Sequence, residues 1–596
     1  MSVLDRIERL RNVMEQQKID CYIIPTDDYH HSEYVGDYFK FREYITGFTG
    51  SAGTAVFTKD KAGLWTDGRY FIQAEAQLKG SGITLYKSGE SDVPTIEEFL
   101  KSELKEGDVL GFDGRTVTYA QGKRYCHIAD ENGASLKYSL DFAQNIWKER
   151  PEMSMETVFS LADEYTGEKI GSKLERIREI MKENGCNAHV LSSLDDIAWL
   201  LNIRGNDIAY CPLVLSYAIV YNNSVELFAD IRKFSDDIIN LLAENQVKIY
   251  PYEDIYRKVS EMTSEDKLLL DSSIMNYSLY QAISKETVIV DKQNPEILMK
   301  SVKNETQAEN LRKAHLKDAV AHTKFMYWLK KNIGRVEITE LSASARLEGL
   351  RAEQEHFLGP SFGPISAYGE HGAIVHYSAD EKNNVPLKEG KLFMTDTGGH
   401  YLEGSTDITR TVALGEVGNI EKEHFTLVAR AMLRLANTVF LYGCSGANLD
   451  CIAREVFWKE GLNFNHGTGH GVGYLLNIHE GPINFRWKEG ERPAPALEEN
   501  MVITDEPGIY IEGSHGIRLE NELLVRKTVK NEYGQFMNFE ILTYVPIDLD
   551  AILPEKMSTE EKEMLNHYHK QVYEKVSPYL SEEERIWLKE YTRAVK

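Results

Sequence analysis

Residues 391–412 read KLFMTDTGGHYLEGSTDITRTV and combine two apolar runs with two aspartates. Asp396 ends the first run, and Asp407 lies eleven residues further on, within TDITRTV. Two adjacent strands joined by a turn would bring these carboxylates together. Because an isolated buried charge is costly unless it is paired or binds a metal, the stretch predicts a carboxylate site on a sheet.

Three later segments add acids and histidines beside predicted strands and loops: NHGTGHGVGYLLNIHEGP (465–482), MVITDEPGIYIEG (501–513) and HGIRLENELLV (515–525). The glycines of the first segment lack a Cβ, so its backbone is expected to approach a site closely. The candidate residues of the three segments are His466, His470, His479, Asp505, Glu506, Arg518 and Glu520.

These side chains offer oxygen and nitrogen ligands, which suit hard or borderline divalent ions such as Mn, Co or Zn. A single Asp or Glu at a strand end is usually solvated, so no one residue decides the interpretation. The order Asp, Asp, His, Glu, Glu within one domain predicts a two-metal site, in which the ions lie about 3.5 to 4 Å apart.

Upstream of this region the chain contains two similar α/β plans. Each has a helix, a buried strand, an Asp-Asp pair and two apolar runs around a polar turn. Asp27-Asp28 corresponds to Asp195-Asp196, and residues 67–71 correspond to residues 230–234. The pattern predicts an internal duplication. Two unrelated α/β units with similar turns are the alternative.

A chain of 596 residues is too long for one core. We expect α/β domains at 1–155 and 156–302, and a mixed α+β domain at 303–596 that opens with a long helix near Ser301 and ends with a helix in SEEERIWLKEYTRAVK (581–596). Ala314, Ala321, Phe325 and Trp328 form the predicted apolar stripe of the long helix.

The composition narrows the classes of partner. The net charge is −25, and no dense Lys/Arg stripe is present, so nucleic acid is not an expected partner. The N-terminus lacks the apolar core of a signal peptide, and no stretch has the roughly 18 apolar residues of a membrane span. The six scattered cysteines suit a reducing compartment, so we expect a cytoplasmic protein.

Together these motifs resemble the pita-bread metallopeptidases, in particular the three-domain cytosolic aminopeptidase P family, over essentially the whole chain. The resemblance includes GAIVHYSAD (372–380), SLDDIAWLLNIRGNDI (193–208), TGFTGSAGTAVF (46–57) and LWTDGRYF (64–71). The 14-residue gap between Glu506 and Glu520 resembles aminopeptidase P more than prolidase.

The resemblance implies a fold with two similar N-terminal α/β domains and a C-terminal pita-bread catalytic domain. It also implies a metalloenzyme that releases the first residue of peptides with proline in second position, through a hydroxide between two metal ions. Manganese is the expected metal, and a homodimer is the expected assembly. The implied metal ligands are Asp396, Asp407, His470, Glu506 and Glu520.

The remaining roles follow from the same resemblance. Glu506 is expected to handle the proton of the nucleophile, His479 to stabilise the oxyanion, and His376 to position the substrate. His466 and Arg518 complete the expected substrate-binding set. A prolidase-type Xaa-Pro dipeptidase and a non-catalytic peptide-binding protein of the same fold stay open as alternatives.

Overall fold

The computed structural model describes residues 1–488 and 493–596. Contacts divide the chain into two units, Met1–Leu161 with Glu168–Glu296, and Ala162–Gly167 with Ile297–Lys596. The predicted domain 1–155 and most of the predicted domain 156–302 lie in the first unit, and the predicted domain 303–596 lies within the bounds of the second. The division between the first two domains at residue 155 stays a prediction.

The helices up to residue 301 are α1 (Val3–Gln17), α2 (Phe41–Thr46), α3 (Phe71–Gln77), α4 (Ile96–Glu103), α5 (Tyr119–Glu131), α6 (Ala143–Ile146), α7 (Asp163–Thr166), α8 (Ile170–Glu183), α9 (Leu194–Leu200), α10 (Asp236–Glu244), α11 (Asp254–Ser260), α12 (Tyr277–Ala282) and α13 (Pro295–Ser301). The strands are β1 (Cys21–Pro25), β2 (Thr54–Thr58), β3 (Ala62–Thr66), β4 (Thr84–Lys87), β5 (Val109–Phe112), β6 (Ser135–Lys137), β7 (Phe159–Ser160), β8 (Ala188–Leu191), β9 (Ile203–Arg204), β10 (Tyr217–Tyr221), β11 (Val225–Phe228), β12 (Val247–Tyr250), β13 (Lys267–Leu270) and β14 (Val288–Asp291).

The first unit contains two six-stranded sheets of the same topology, with strand orders β4-β3-β2-β1-β5-β6 and β12-β11-β10-β8-β13-β14. In each sheet the first buried strand pairs antiparallel with the next strand of the hairpin and parallel with a later strand. Every further pair also has the same direction in both sheets. The predicted similarity of the two α/β domains is therefore confirmed.

A local turn repeats with the sheets. Asp67 accepts hydrogen bonds from the backbone N–H and from the guanidinium of Arg69. Asp230 binds Arg232 in the same way. An aspartate that hydrogen-bonds the backbone two residues ahead stabilises a turn by itself, so the repeated spacing in the sequence reports a repeated local structure.

The helices of the second unit after residue 301 are α14 (Glu305–Asn332), α15 (Glu340–Ala352), α16 (Asn419–Ala436), α17 (Gly446–Trp458), α18 (Thr559–Val576) and α19 (Glu582–Tyr591). The strands are β15 (Phe357–Pro360), β16 (Ile365–Tyr368), β17 (Lys391–Thr397), β18 (Gly399–Tyr401), β19 (Gly404–Ser405), β20 (Ile408–Leu414), β21 (Phe440–Leu441), β22 (Gly469–Gly471), β23 (Glu480–Phe485), β24 (Val502–Asp505), β25 (Gly508–Ile511), β26 (His515–Arg518), β27 (Asn521–Asn531) and β28 (Gly534–Ile541).

Four short sheets make up the strand layer of the second unit: β15-β18-β19, β16-β17-β20, β21-β28-β27-β24-β22-β23 and β25-β26. The long helix α14 begins with a capping box at Asn304 and Gln307, which satisfies two terminal backbone donors. Ala314, Ala321 and Phe325 of its predicted stripe are buried. The mixed α+β prediction for this region is confirmed.

Within the described ranges, 1–488 and 493–596, no helix combines the length and the apolar character that a membrane span requires.

Candidate metal centre

The two aspartates of the opening stretch lie on paired strands. β17 pairs antiparallel with β20, so that Asp396 faces Thr409 and Thr397 faces Ile408. The connection between them is a small hairpin, β18–β19, which belongs to a different sheet. The predicted adjacency is confirmed, and the hairpin is what lets eleven residues join two paired strands.

Asp407, His470 and Glu520 form the centre of the site. Each offers one ligand atom, and these atoms all lie within 4.8 Å of one another. Asp407 and Glu520 are 4% and 1% exposed, so their carboxylates are shielded from water. The structure therefore brings together the residue that precedes β20, one residue of β22 and the residue that precedes β27.

Glu506 and Asp396 border this group. The Nε2 atom of His470 lies 3.7 Å from Oε1 of Glu506 and 3.5 Å from Oδ2 of Asp407. The guanidinium of Arg518 binds Oδ2 of Asp396, whereas Oδ1 of Asp396 is buried without a hydrogen-bond partner. A buried carboxylate oxygen of this kind is free to accept a cation.

The electrostatics of the site reflect crowding of like charges. Burial raises the pKa of Asp407 well above its ordinary value, and the carboxylates of Asp396 and Glu506 raise it further. The pKa of Glu520 is also raised, first by burial and then by Asp407. Divalent cations would remove this repulsion. The carboxylate and imidazole donors fit hard or borderline ions, so the residues present fit a two-metal centre.

Neighbouring polar groups fix the orientation of the carboxylates. Thr409 donates a hydrogen bond of 2.8 Å from Oγ1 to Oε2 of Glu520. The backbone N–H of Asp407 donates to Oε1 of Glu522 over 2.7 Å. Supporting contacts of this kind orient metal ligands. Our sequence analysis missed Glu522 and Thr409, although each lies two residues after a candidate ligand at the start of a strand, a spacing at which extended chain places side chains on one face.

His479 and His466 lie beside the site. The rings of His470 and His479 are 4.3 Å apart at an angle of 69°. Nε2 of His466 is 2.8 Å from the hydroxyl of Tyr510. Burial, followed by the charge of Arg518, lowers the pKa of His466 to about 3, so this imidazole is neutral at pH 7. Its expected role in substrate binding stays a prediction.

Arg518 is 2% exposed and therefore is not a surface-strand residue. Besides Asp396, its guanidinium donates to the hydroxyl of Tyr510 over 2.6 Å and to the carbonyl of Val375 over 3.3 Å. Val375 precedes His376, so this contact anchors the partly buried loop that carries the predicted substrate-positioning histidine. The contacts of Arg518 to a carboxylate and a tyrosine account for its burial without any substrate.

Asp505 is placed differently from Glu506. It lies at the end of β24 opposite Asn521, and both of its carboxylate oxygens are buried without a hydrogen-bond partner. Thr504 and Glu506 share the other face, since Oγ1 of Thr504 lies 3.4 Å from Oε1 of Glu506. Alternation along the strand therefore separates Asp505 from the candidate ligands.

The glycines of residues 467–473 make room for neighbouring strands. A Cβ at Gly469 would lie 1.9 Å from the carbonyl oxygen of Thr504, and one at Gly471 would lie 2.2 Å from that of Glu480. We expected this backbone to approach a site closely. The close approach is instead to the backbones of β24 and β23, and it holds His470 between them.

Models of known protein families match most of the chain. The model of metallopeptidase family M24 matches residues 309–527, and that of the C-terminal region of this peptidase matches residues 535–595. Creatinase/prolidase N-terminal domain models match residues 6–137 and 149–307.

Similar proteins cover nearly the whole chain. "Xaa-Pro aminopeptidase 1" of Dictyostelium discoideum is 36% identical over 97% of this chain and 94% of its own. "Aminopeptidase P1" of Arabidopsis thaliana is 34% identical over 99% of both chains. The crystal structure of the X-prolyl aminopeptidase of Caenorhabditis elegans, described as a cytosolic enzyme with a di-nuclear active site, superimposes with a TM-score of 0.95 at 33% identity over the full length of both chains. The chain therefore belongs to the Xaa-Pro aminopeptidases of metallopeptidase family M24.

Proposed function

We propose that this chain is a metal-dependent aminopeptidase that removes the first residue of peptides whose second residue is proline. The observation that carries the proposal is the convergence of Asp407, His470 and Glu520, within 4.8 Å of one another, beside Glu506 and Asp396. Full-length similarity to Xaa-Pro aminopeptidases supports the substrate class.

Asp396, Asp407, His470, Glu506 and Glu520 would hold two divalent ions. Bound there, the ions lower the pKa of a shared water and stabilise negative charge on the scissile carbonyl. Manganese is our proposed metal, because four carboxylates and one imidazole favour a hard ion over a soft one. Cobalt and zinc are the alternatives.

Glu506 is our candidate for moving the proton from the attacking water to the leaving nitrogen of proline. Burial and the nearby Asp396 raise its pKa, whereas His470, Arg518 and His479 lower it. A general base is most effective when its pKa lies near the working pH, so this balance suits the role. Its Oε1 lies 3.7 Å from Nε2 of His470, so its carboxylate borders the place where the metal-bound water would lie.

The histidines and Arg518 are proposed to bind the substrate around this centre. His479, stacked edge-on against His470, is suited to donate a hydrogen bond to the developing oxyanion. His376 would position the substrate from the loop that Arg518 anchors. The neutral His466 would line the proline pocket, where the enzyme needs no acceptor for the scissile nitrogen because an X-Pro amide has no N–H.

We further propose that the protein works as a cytoplasmic homodimer. Trp458 and Trp487 are 43% and 47% exposed, and their rings lie 5.9 Å apart. Exposed neighbouring tryptophans are typical of protein interfaces, so this pair is our candidate contact. Sedimentation analysis of the Trp458→Glu variant tests it: a monomeric variant supports the contact, and an unchanged dimer contradicts it.

The first experiment uses metal-stripped protein and the peptide Arg-Pro-Pro, with Mn, Co, Zn or no metal added back. We expect release of free arginine that depends on metal and is fastest with Mn. The dipeptide Arg-Pro serves as the second substrate. Efficient cleavage of the tripeptide excludes a strict dipeptidase, whereas cleavage of the dipeptide alone would identify a prolidase-type enzyme.

The control is the Asp407→Asn variant under the same metal concentrations, which excludes hydrolysis by free metal or a contaminating peptidase. A folded wild-type protein that releases no arginine with any metal would contradict the proposal and favour a peptide-binding protein. Peptide binding measured by calorimetry would then separate that alternative from an inactive preparation.

A further inference from the structure

A buried ion pair lies directly behind His479. The side chains of Lys303 and Glu480 are 1% and 2% exposed, and Nζ of Lys303 contacts Oε1 of Glu480. The same Nζ donates a hydrogen bond of 2.9 Å to the carbonyl of Lys300. The two residues of the pair are 177 positions apart in the sequence.

The backbone of Lys303 is fixed independently of this pair. Its N–H donates to the carbonyl of Asn500 over 3.1 Å, and the preceding residue, Val302, forms a bridge with Met501. Asn304, which follows Lys303, caps α14. The lysine side chain therefore projects from a rigid anchor.

Glu480 transmits this anchor to the metal centre. It follows His479 in the chain, and it faces Gly471 across the β22–β23 pair. Its carbonyl oxygen packs so closely on Gly471 that a Cβ there would lie 2.2 Å away. Gly471 in turn follows His470, whose ring touches that of His479. Glu480, which Lys303 binds, therefore follows one of the two histidines in the chain and pairs with the residue that follows the other.

Stability alone is a weak reason for such a pair. Burying two charges costs solvation that their attraction only partly returns, and apolar replacements of similar volume are often neutral or stabilising. Burial lowers the pKa of Lys303 even though the carboxylates of Glu480 and Glu522 oppose that change. What an ion pair adds over an apolar contact is direction, because the ammonium holds the carboxylate at one place.

We propose that Lys303 is a positioning residue which, through Glu480, holds His479 and His470 in the mutual geometry that the reaction requires. This inference rests on the proposed function for the role of His479. Misplacement of a group by about 1 Å lowers catalytic rates by about 100-fold. Loss of the pair should therefore lower kcat strongly and change KM little.

The test compares the metal-loaded wild type with Lys303→Met, Glu480→Gln and the double variant Lys303→Met/Glu480→Met. We expect kcat for Arg-Pro-Pro to fall about 10- to 100-fold in all three, with KM within about threefold of wild type. The double variant should regain the melting temperature of wild type, since it buries no charge, but not its kcat.

The matched control is Lys330→Met. Lys330 forms a comparable buried pair with Asp548 in the same unit, with Nζ 2.6 Å from Oδ2. It contacts the carbonyl of Ala413, near the end of β20 remote from Asp407. This variant should lose stability without a selective loss of kcat. An equal loss of kcat in the control, or recovery of kcat in the double variant, would overturn the inference.

A second measurement does not depend on activity. Diethyl pyrocarbonate modifies accessible histidines, and the rate at each site is read by mass spectrometry, with the 72% exposed His127 as internal reference. Release of His479 should raise its rate several-fold in the Lys303 variants, whereas Lys330→Met should leave it unchanged. An unchanged rate in every variant contradicts positioning. An inactive wild type with changed rates would instead refute only the proposed function.

Discussion

Buried carboxylates occur in both units of the chain, but those of the candidate metal centre have different neighbours from those that form ion pairs. In the first unit the buried Asp207 contacts Lys233, the buried Glu296 lies 3.2 Å from His189, and the half-buried Asp113 binds Arg115 over 2.8 Å. In the candidate metal centre of the second unit, Asp407 and Glu520 face other carboxylates. Burial raises the pKa values of both residues, and these neighbouring charges raise them further. Buried acids therefore form ion pairs in the first group and a candidate metal centre in the second.

The comparison shows that charge balance distinguishes a structural site from a reactive one. A buried acid beside its own cation is satisfied within the protein, and such pairs mainly shape the fold. Acids that converge on one another leave a deficit of positive charge, which a metal can fill.

The largest expected effect tests this balance directly. Asp407→Asn removes one ligand from the centre, so we expect activity to fall on the order of 1000-fold or more and the bound metal to decrease. Asp113→Asn removes a half-buried acid from an ion pair of the first unit and should lower the melting temperature but keep metal and activity. Elemental analysis and kcat/KM measure both variants. Full metal content in Asp407→Asn would break the distinction.

The next effect concerns neighbouring acids on one strand end. Glu506→Gln should lower kcat by about 100- to 10,000-fold, because it removes the proposed proton carrier. Asp505→Asn should change kcat little. Burial and the adjacent Glu506 raise the pKa of Asp505 well above its ordinary value, and alternation along β24 turns its side chain away from the candidate ligands. Comparable losses in both variants would contradict the assignment of faces.

A buried cation sharpens the comparison from the other side. Nζ of Lys173 donates to the carbonyl of Trp199 and to Oδ1 of Asn202, and burial lowers its pKa to about 7. Between that value and the ordinary lysine pKa of 10.5, the unfolded chain holds a proton that the folded chain has lost. This group therefore adds stability as the pH rises through that window, and the gain is absent below it.

From pH 7 to pH 9 the gain should be about 2 kcal/mol in the free energy of unfolding. Urea denaturation of the wild type and of Lys173→Met measures it, with tryptophan fluorescence as the signal. The variant should show a smaller rise over this range. An equal rise in both proteins would mean that Lys173 stays charged in the folded state.

The smallest effect is expected at the repeated turns. Arg232→Ala removes a largely exposed partner of Asp230, with a side-chain exposure of 73%, so the melting temperature should not change measurably. Arg69→Ala affects a less exposed pair and should have a slightly larger effect. Calorimetry of both variants compares the duplicated domains. A larger loss for Arg232 would show that the two turns are not equivalent.

Local sequence patterns predicted much of the fold. The hairpin β2–β3 around Lys59-Asp60-Lys61, the strand β1 and the long helix α14 each follow from periodicity and turn residues within a short window. The duplication was also visible, because its Asp-x-Arg turns depend on residues two positions apart.

The parts that escaped prediction depend on residues distant in sequence. Nothing local indicates that Lys303 meets Glu480, or that Glu522 accepts a hydrogen bond from Asp407, 115 positions away. Arg518 was expected in the substrate-binding set, and nothing in its spacing indicated Asp396 as its partner. Side-chain pairing of this kind is decided by tertiary packing. The order of the candidate ligands, in contrast, can be read directly from the sequence.

The glycines of β22 limit which substitutions this segment can accept. A methyl group at Gly469 or Gly471 would overlap the carbonyl oxygens of Thr504 or Glu480, and a side chain at either position would push β22 away from its neighbours. In a library of all single substitutions, these positions should tolerate as few replacements as the candidate metal ligands. Loss of function on substitution would therefore also identify residues that contact neither metal nor peptide. The space between the strands limits which residues this segment can accept.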